Sequence, residues 1–276
     1  MKLVNETRYS PSIPRRLVRE RRLHLLPLYG VLRLSDLGRE GIEHSGSHRF
    51  ADHIYVGKAT GRFGIGKLVD RLLLSLPATR SFRNRFVHSR NRIRDHLLHS
   101  PRPTHRVLSV PCGVPRDLIE AAETVRRDRP STFAGTTFYC MDIDPVVLEE
   151  TRGLLAEAAL PNFGLLEADA FDERAYPEGV DIVTSTGFAE FLTDGQLERF
   201  YGLCFRSLGS GGTLVTSATV RNAAADYLLR NVAELFVHYR EEDALRAFLE
   251  RAGFGRISLE RDRVGYQILM TADKVL

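Results

Sequence analysis

Residues 107–117 read VLSVPCGVPRD. A short apolar run stops at Pro111, a single glycine follows at Gly113, and helix-forming residues begin at Arg116. Strand, glycine loop and helix in that order open a nucleotide-binding α/β domain. A dinucleotide loop needs G-x-G-x-x-G, so that the backbone can approach a pyrophosphate and the helix can pack close to the strand. Only Gly113 survives of that set; Pro111 and Pro115 replace glycines, stiffen the loop and remove two backbone donors. A pyrophosphate site is therefore not expected. A ligand without phosphate asks for less, namely a tight turn and one close approach, and Gly113 still offers both.

The chain around this loop alternates strand and helix signals from about His105 onward. RVLSV (106–110), TTFYCMDID (136–144), FGLLEAD (163–169), VDIVTSTG (180–187) and TLVTSAT (213–219) read as five strands. RISLER and YQILMTA close the set as a final pair. Helical stripes lie between them, as in Leu118, Ile119, Ala122 and Val125. Seven strands with intervening helices predict an α/β fold with a doubly wound, Rossmann-like sheet.

Residues 1–104 predict a basic, mainly helical region, and PRPTH (101–105) reads as the linker to a domain at 105–276. In IGKLVDRLLLSL, Ile65, Leu68, Val69, Leu72, Leu73 and Leu76 fall on one helical face. Residues 82–98 place Phe82, Phe86, Ile93 and Leu97 along another. The formal net charge of +4 over 276 residues hides an asymmetry. Residues 1–105 hold 21 Lys and Arg against 8 Asp and Glu, and the remainder 18 against 27. Such a split marks two pieces with different tasks, or two pieces that complement each other.

Several classes drop out. No apolar run reaches the roughly 18 residues of a membrane span. Arg19, Arg21 and Arg22 break up the apolar stretch that an export signal behind Arg15 and Arg16 would need, so a cytoplasmic protein is expected. Cys112, Cys140 and Cys204 are too few and scattered for a disulfide framework or a zinc site; buried free thiols and no metal are expected. GRFGIGKL (61–68) has P-loop spacing, but Leu68 stands where Ser or Thr must ligate magnesium, so the stretch reads as a glycine-punctuated helix start.

The ordered set of fragments resembles the class I S-adenosylmethionine-dependent methyltransferases over residues 105–276. VLSVPCGVPRDL stands where that family has a form such as VLDIGCGTGRDL, FYCMDIDPVVL for its second motif, and ADAFD (168–172) for its third. VDIVTSTGFAEFLTD and RSLGSGGTLV resemble the fourth strand with its turn and the glycine turn before the fifth. The resemblance implies that Pro111, Cys112 and Gly113 form the cofactor loop. It implies that Asp142, followed by Ile143, takes both ribose hydroxyls, a task suited to two carboxylate oxygens. It further implies that Asp169 takes the adenine amino group, the Ala170 amide the ring nitrogen, and that Phe171 faces the ring. Ser185, Thr186 and Gly187 would lie beneath the methionine portion and the substrate. The departures are Pro111, Pro115 and Ser109, the last replacing the usual first-motif acid.

A narrower resemblance reaches the first region. GRFGIGKLVDRLLLSLPATRSFRNRF looks like the segment preceding the domain in a bacterial methyltransferase family, fused in some members behind an α/β-hydrolase domain. The shared elements are the glycine-rich entry, the Asp70-Arg71 pair and the cluster Arg80, Arg83 and Arg85. The match resumes in STGFAEFLTD and FVHYREEDALRAFLERAGF, whereas TSATVRNAAADYL departs from it.

In-line methyl transfer from a sulfonium needs alignment above all, and well-oriented reactants supply about 7–11 kcal/mol. Glu190 is the best-placed carboxylate for a general base, with helix-start or surface acid as the plain alternative. His238 and Tyr239 could line the pocket or simply pack. The helical region is expected to act as a lid for a small-molecule acceptor, anionic or natural-product-like, with Arg83 and Arg85 toward the cofactor carboxylate. The rival reading is nucleic-acid binding or RNA methylation through the arginines. Against it, aromatics are not interleaved there, and the fourth motif, STGF, lacks the Asn/Asp-Pro-Pro-aromatic signature of enzymes that methylate base amino groups.

Overall fold

The structure is a computed structural model and describes residues 12–44 and 46–275. The start of the basic N-terminal region, 1–11, lies outside the described residues. Along the chain come α1 (Ser12–Arg19), α2 (Leu25–Leu32), α3 (Asp36–Glu43), α4 (His48–Val56), α5 (Ile65–Ser75) and α6 (Pro77–His99). Then follow β1 (His105–Ser109), α7 (Arg116–Asp128), α8 (Pro130–Ala134), β2 (Thr136–Asp142), α9 (Pro145–Glu157), β3 (Asn162–Glu167) and β4 (Val180–Ser185). The remainder is α10 (Asp194–Ser207), β5 (Leu208–Thr219), α11 (Ala223–Val232), α12 (Glu242–Arg251), β6 (Ile257–Arg261) and β7 (Gln267–Asp273).

Two compact units emerge. One is helical, runs to Arg83 and takes in Arg221–Val237; the other holds Asn84–Val220 and the chain from His238 onward. The division differs from the proline-rich break at 101–105. The apolar residues Ile93 and Leu97 of α6 pack on the sheet, so most of that helix belongs with the strands.

The sheet unit has the order β3-β2-β1-β4-β5-β7-β6. The first five positions are parallel, and β7 runs antiparallel to both β5 and β6. Alternate residues feed two cores. Leu108, Val183 and Leu214 face one layer of helices, and Val107, Ile182 and Val215 the other. Both faces of a parallel sheet are buried, which is why β4 reads as a run without an exposed position. Helix starts are sharply encoded. Asp144 accepts from the Val146 amide before Pro145 opens α9, and Thr193 with Gln196 forms a reciprocal capping box at α10.

Three elements differ from the sequence reading. β5 begins at Leu208 rather than after the glycines, with an irregular register against β4 between Val180 and Ile182. α11, capped by Asn222, occupies a stretch whose alanine-rich pattern carries no clear apolar stripe. The largest difference concerns α5. Its leucine stripe is not the buried face: Ile65, Leu68 and Leu72 are exposed, as is Phe63 just before it. The buried face holds Gly66, Asp70 and Leu74 instead. A Cβ on Gly66 would stand 2.0 Å from the Leu34 carbonyl oxygen, so the backbones of the two segments touch there. Close backbone approach and a buried carboxylate override the apolar period.

His88 of α6 gives the sheet unit a pH-sensitive contact. Burial pushes its imidazole down from 6.5 to about 4, with help from Arg92 and against a hydrogen bond to the Met270 backbone and the charge of Glu260. Between those two values the unfolded chain takes up a proton that the native protein refuses, so stability falls as the pH drops through that window. At about 1.4 kcal/mol per pK unit, the loss from pH 7 to pH 4 reaches up to about 3 kcal/mol. Urea midpoints across this range should fall more steeply in wild type than in His88→Gln; parallel curves would refute the assignment.

Candidate functional site

The strand order reverses between β1 and β4, and an open α/β sheet binds ligands at the carboxyl ends of the strands beside such a point. The loop after β1 turns there. Val110 donates to the Thr184 carbonyl at 3.0 Å and Cys112 to the Met141 carbonyl at 2.8 Å, which pins the loop to β4 on one side and β2 on the other. Gly113 sits at φ +49°, a conformation that favours glycine, and its carbonyl accepts from the Thr151 hydroxyl at 3.0 Å. The two prolines flank this turn without preventing it.

Asp142 ends β2 beside the loop. Its Oδ2 accepts from the Gly113 amide at 3.1 Å and its Oδ1 from the Asp144 amide at 3.1 Å. These two bonds orient the carboxylate beside the loop. Ile143 follows in the turn toward α9. Ala168 donates to the Asp142 carbonyl at 3.1 Å, bringing the segment after β3 alongside. There Asp169 accepts from the Phe171 amide at 2.9 Å, and the Tyr176 hydroxyl donates to the Ala170 carbonyl at 2.7 Å. The Phe171 ring packs near Phe188 and Phe200, with the Arg199 guanidinium 5.6 Å from its centroid. The backbone bond from Ala168 thus brings the segment carrying Ala170 and Phe171 alongside the end of β2.

The end of β4 is more unusual. Ser185 is buried, its carbonyl accepts from Thr216 at 2.7 Å, and its hydroxyl has no partner among the described residues. Thr186 leads to Gly187 at φ +86°, where a Cβ would lie 2.5 Å from Nη2 of Arg85. Only glycine admits the guanidinium so close. Glu190 follows in a short 3-10 turn, Ala189–Phe191, and is 3% exposed, which removes the surface-acid alternative. Its Oε1 accepts from Arg85 at 3.1 Å and from the Thr219 hydroxyl at 3.3 Å. Its Oε2 is buried with no hydrogen-bond partner among the described residues. An acceptor oxygen held away from water without a donor is a costly arrangement that a bound donor would relieve.

Arg85 therefore meets a protein carboxylate where the sequence suggested a cofactor one. Arg83 belongs to the helical unit and donates to the Leu74 carbonyl at 2.5 Å. His238 is exposed, and its backbone amide donates to the Glu190 carbonyl at 2.7 Å. Sequence reasoning passed over Arg240, which donates to the Ala189 and Leu192 carbonyls and pairs with Asp194, clamping the turn that carries Glu190. Its only signal was membership of a stretch that matched the family. The loop thiol of Cys112 is pushed up by its hydrogen bond to Cys140 and by burial, so it stays protonated and is no nucleophile. All three cysteines are free and buried.

Residues 30–215 match the sequence pattern of a family described as "Putative methyltransferase". Among solved structures, a possible exported protein from Bordetella parapertussis superposes with a TM-score of 0.76 at 24% identity, covering 90% of this chain and 86% of that one. Magnesium protoporphyrin IX methyltransferase from Synechocystis PCC 6803, with bound S-adenosylhomocysteine, gives 0.53 at 14% identity over 71% and 86%. The S-adenosylmethionine-dependent methyltransferase SibL gives 0.54 at 17% identity over 91% and 75%. At these identities the likeness is one of fold. A comparison with curated protein sequences finds no match.

Proposed function

The chain belongs to this methyltransferase family, and we propose that it transfers the methyl group of S-adenosylmethionine to a small-molecule acceptor. The observation that carries the reading is that an oriented Asp142 carboxylate, bonded to the loop after β1, and the donor-less Oε2 of buried Glu190 both follow carboxyl ends of strands in the central sheet. These acceptors fit this cofactor, which presents adjacent ribose hydroxyls and an ammonium group as donors and carries no phosphate. Asp142 would hold the hydroxyls, and the Ala170 amide and Phe171 ring would hold the base. Ser185, Thr186 and Gly187 would line the methionine side. When bound, the cofactor supplies a sulfonium methyl, an electrophile whose leaving group needs no proton.

The chain's own contribution is then orientation and proton holding. Gly113 and the cross-strand bonds of Val110 and Cys112 keep the loop in one conformation. Arg85 and Thr219 fix Oε1 of Glu190, so the free Oε2 points one way and can accept a proton or a hydrogen bond from the acceptor's nucleophile. The buried, unbridged cysteines suit a reducing compartment, and the reading keeps the protein in the cytoplasm. No helix among the described residues is long and apolar enough to cross a membrane.

Calorimetric titration of wild type and Asp142→Ala with S-adenosylmethionine, S-adenosylhomocysteine, NADH and ATP tests this reading. Hydrogen bonds to a charged group contribute about 1.5–3 kcal/mol each, so losing two should weaken both sulfur ligands at least ~100-fold. NADH and ATP should not bind. Absence of sulfur-ligand binding to folded wild type, or equal affinity in the variant, would remove the cofactor assignment.

A further inference from the structure

We propose a zinc site at the opposite end of the central strands, built from His96, His105 and Asp181. His105 opens β1 and Asp181 is the second residue of β4, so both stand at amino ends of strands, away from the loops described above. His96 comes from α6, near its carboxyl end. One ligand atom from each of the three lies within 4.8 Å of the other two. All three residues belong to the sheet unit.

Two imidazole nitrogens carry the inference. Nε2 of His105 is 2.9 Å from the Arg102 carbonyl, which can only accept, so Nε2 bears the hydrogen. In the neutral ring that leaves Nδ1 as a bare lone pair, and Nδ1 is buried with no hydrogen-bond partner. Nε2 of His96 is likewise buried and unpartnered. The rings meet edge to face, centroids 5.3 Å apart at 84°. Asp181 Oδ2 stands 3.7 Å from His105 Nδ1 and also accepts from the Arg106 amide at 2.8 Å, while Oδ1 pairs with Arg102. A protonated His105 would direct Nδ1 at Asp181 Oδ2, but His96 Nε2 has no such carboxylate partner, and a metal ion would satisfy both nitrogens and the oxygen together.

Neutral imidazoles with a carboxylate suit zinc, bound at about 2.0–2.2 Å in tetrahedral geometry, with a water in the fourth position. The Arg102 carbonyl on His105 and the Arg102 guanidinium on Asp181 supply the outer contacts that orient such ligands. The ion would tie α6 to β1 and β4. Arg85 lies eleven residues earlier on the same helix, so the register that brings it to Glu190 would be fixed from the far end as well.

The test uses the full chain, stripped with a chelator and returned to chelator-free buffer. Zinc is titrated by calorimetry, and cobalt(II) by visible absorption, where a tetrahedral site gives intense bands. Wild type should take up one equivalent of zinc, show the cobalt bands and gain thermal stability. His96→Ala and His105→Gln should each weaken zinc more than about tenfold and abolish the bands. Glutamine keeps a donor for the Arg102 carbonyl, so that variant retains the fold contact. His99→Ala, an exposed neighbour, should bind as wild type does. No stoichiometric zinc uptake by folded wild type overturns the proposal, and so does undiminished uptake in the two ligand variants.

Discussion

Arg85→Ala should destabilise the sheet unit by about 3–5 kcal/mol, because it strands the Glu190 carboxylate in a buried position. Both side chains of this ion pair are 4% exposed, so water cannot take the guanidinium's place. For a unit of this size the loss corresponds to a fall in Tm of the order of 10 °C. Glu190→Ala should also destabilise, because the buried guanidinium loses its carboxylate partner. The double variant Arg85→Met/Glu190→Leu should cost much less than the sum, since the desolvation of both charges disappears with them. Thermal and urea denaturation of the three variants would measure this coupling. Additive effects would show that each side chain acts through its own packing. Methyl transfer separates the roles further: the double variant should stay folded yet lose activity, because Oε2 is gone.

Asp70→Ala should remove at least about 3 kcal/mol from the helical unit, counting about 1–3 kcal/mol for each buried donor left without an acceptor. Asp70 is fully buried on α5 and gathers three segments. Its Oδ1 takes the Ser35 hydroxyl and the Leu37 amide, and its Oδ2 the Thr60 amide at 2.9 Å. His53 Nε2 stands 3.4 Å from the same oxygen. Asp70→Asn keeps one acceptor oxygen but turns an amide NH2 toward donors, so it should fall between wild type and alanine. Denaturant unfolding followed by a probe in the helical unit would rank the three; equal stability of Asn and wild type would mean that shape, not acceptor count, matters here. Leu68→Ala, by contrast, deletes an exposed side chain and should change little.

The contrast between Asp70 and Leu68 shows where pattern reading stops. In the sheet unit, local pattern and tertiary outcome agree for most elements, the early start of β5 being the exception. Strands buried on both faces are mostly apolar, as Val180, Ile182 and Val183 show, and Pro145 and Thr193 write helix starts into the chain regardless of what packs nearby. Gly113 and Asp169 fall in loops just beyond strand ends and Asp142 closes β2, so their places along the chain follow from local pattern, while their roles are the proposal made above. In the helical unit, the leucine period of α5 pointed to one face, and the fold buries another.

What the sequence determined by itself was therefore the strand order of signals, the glycine loop after β1, the helix starts, and the carboxylate at the end of β2. These depend on residues adjacent in the chain, whose backbone preferences and hydrogen bonds act locally. The tertiary structure alone decided the pairing of Arg85 with Glu190, 105 positions apart, the donors collected by Asp70, and the meeting of His96, His105 and Asp181. A buried charge or lone pair acquires its partner only when distant segments are packed together, because the desolvation that makes the partnership necessary does not exist in the extended chain.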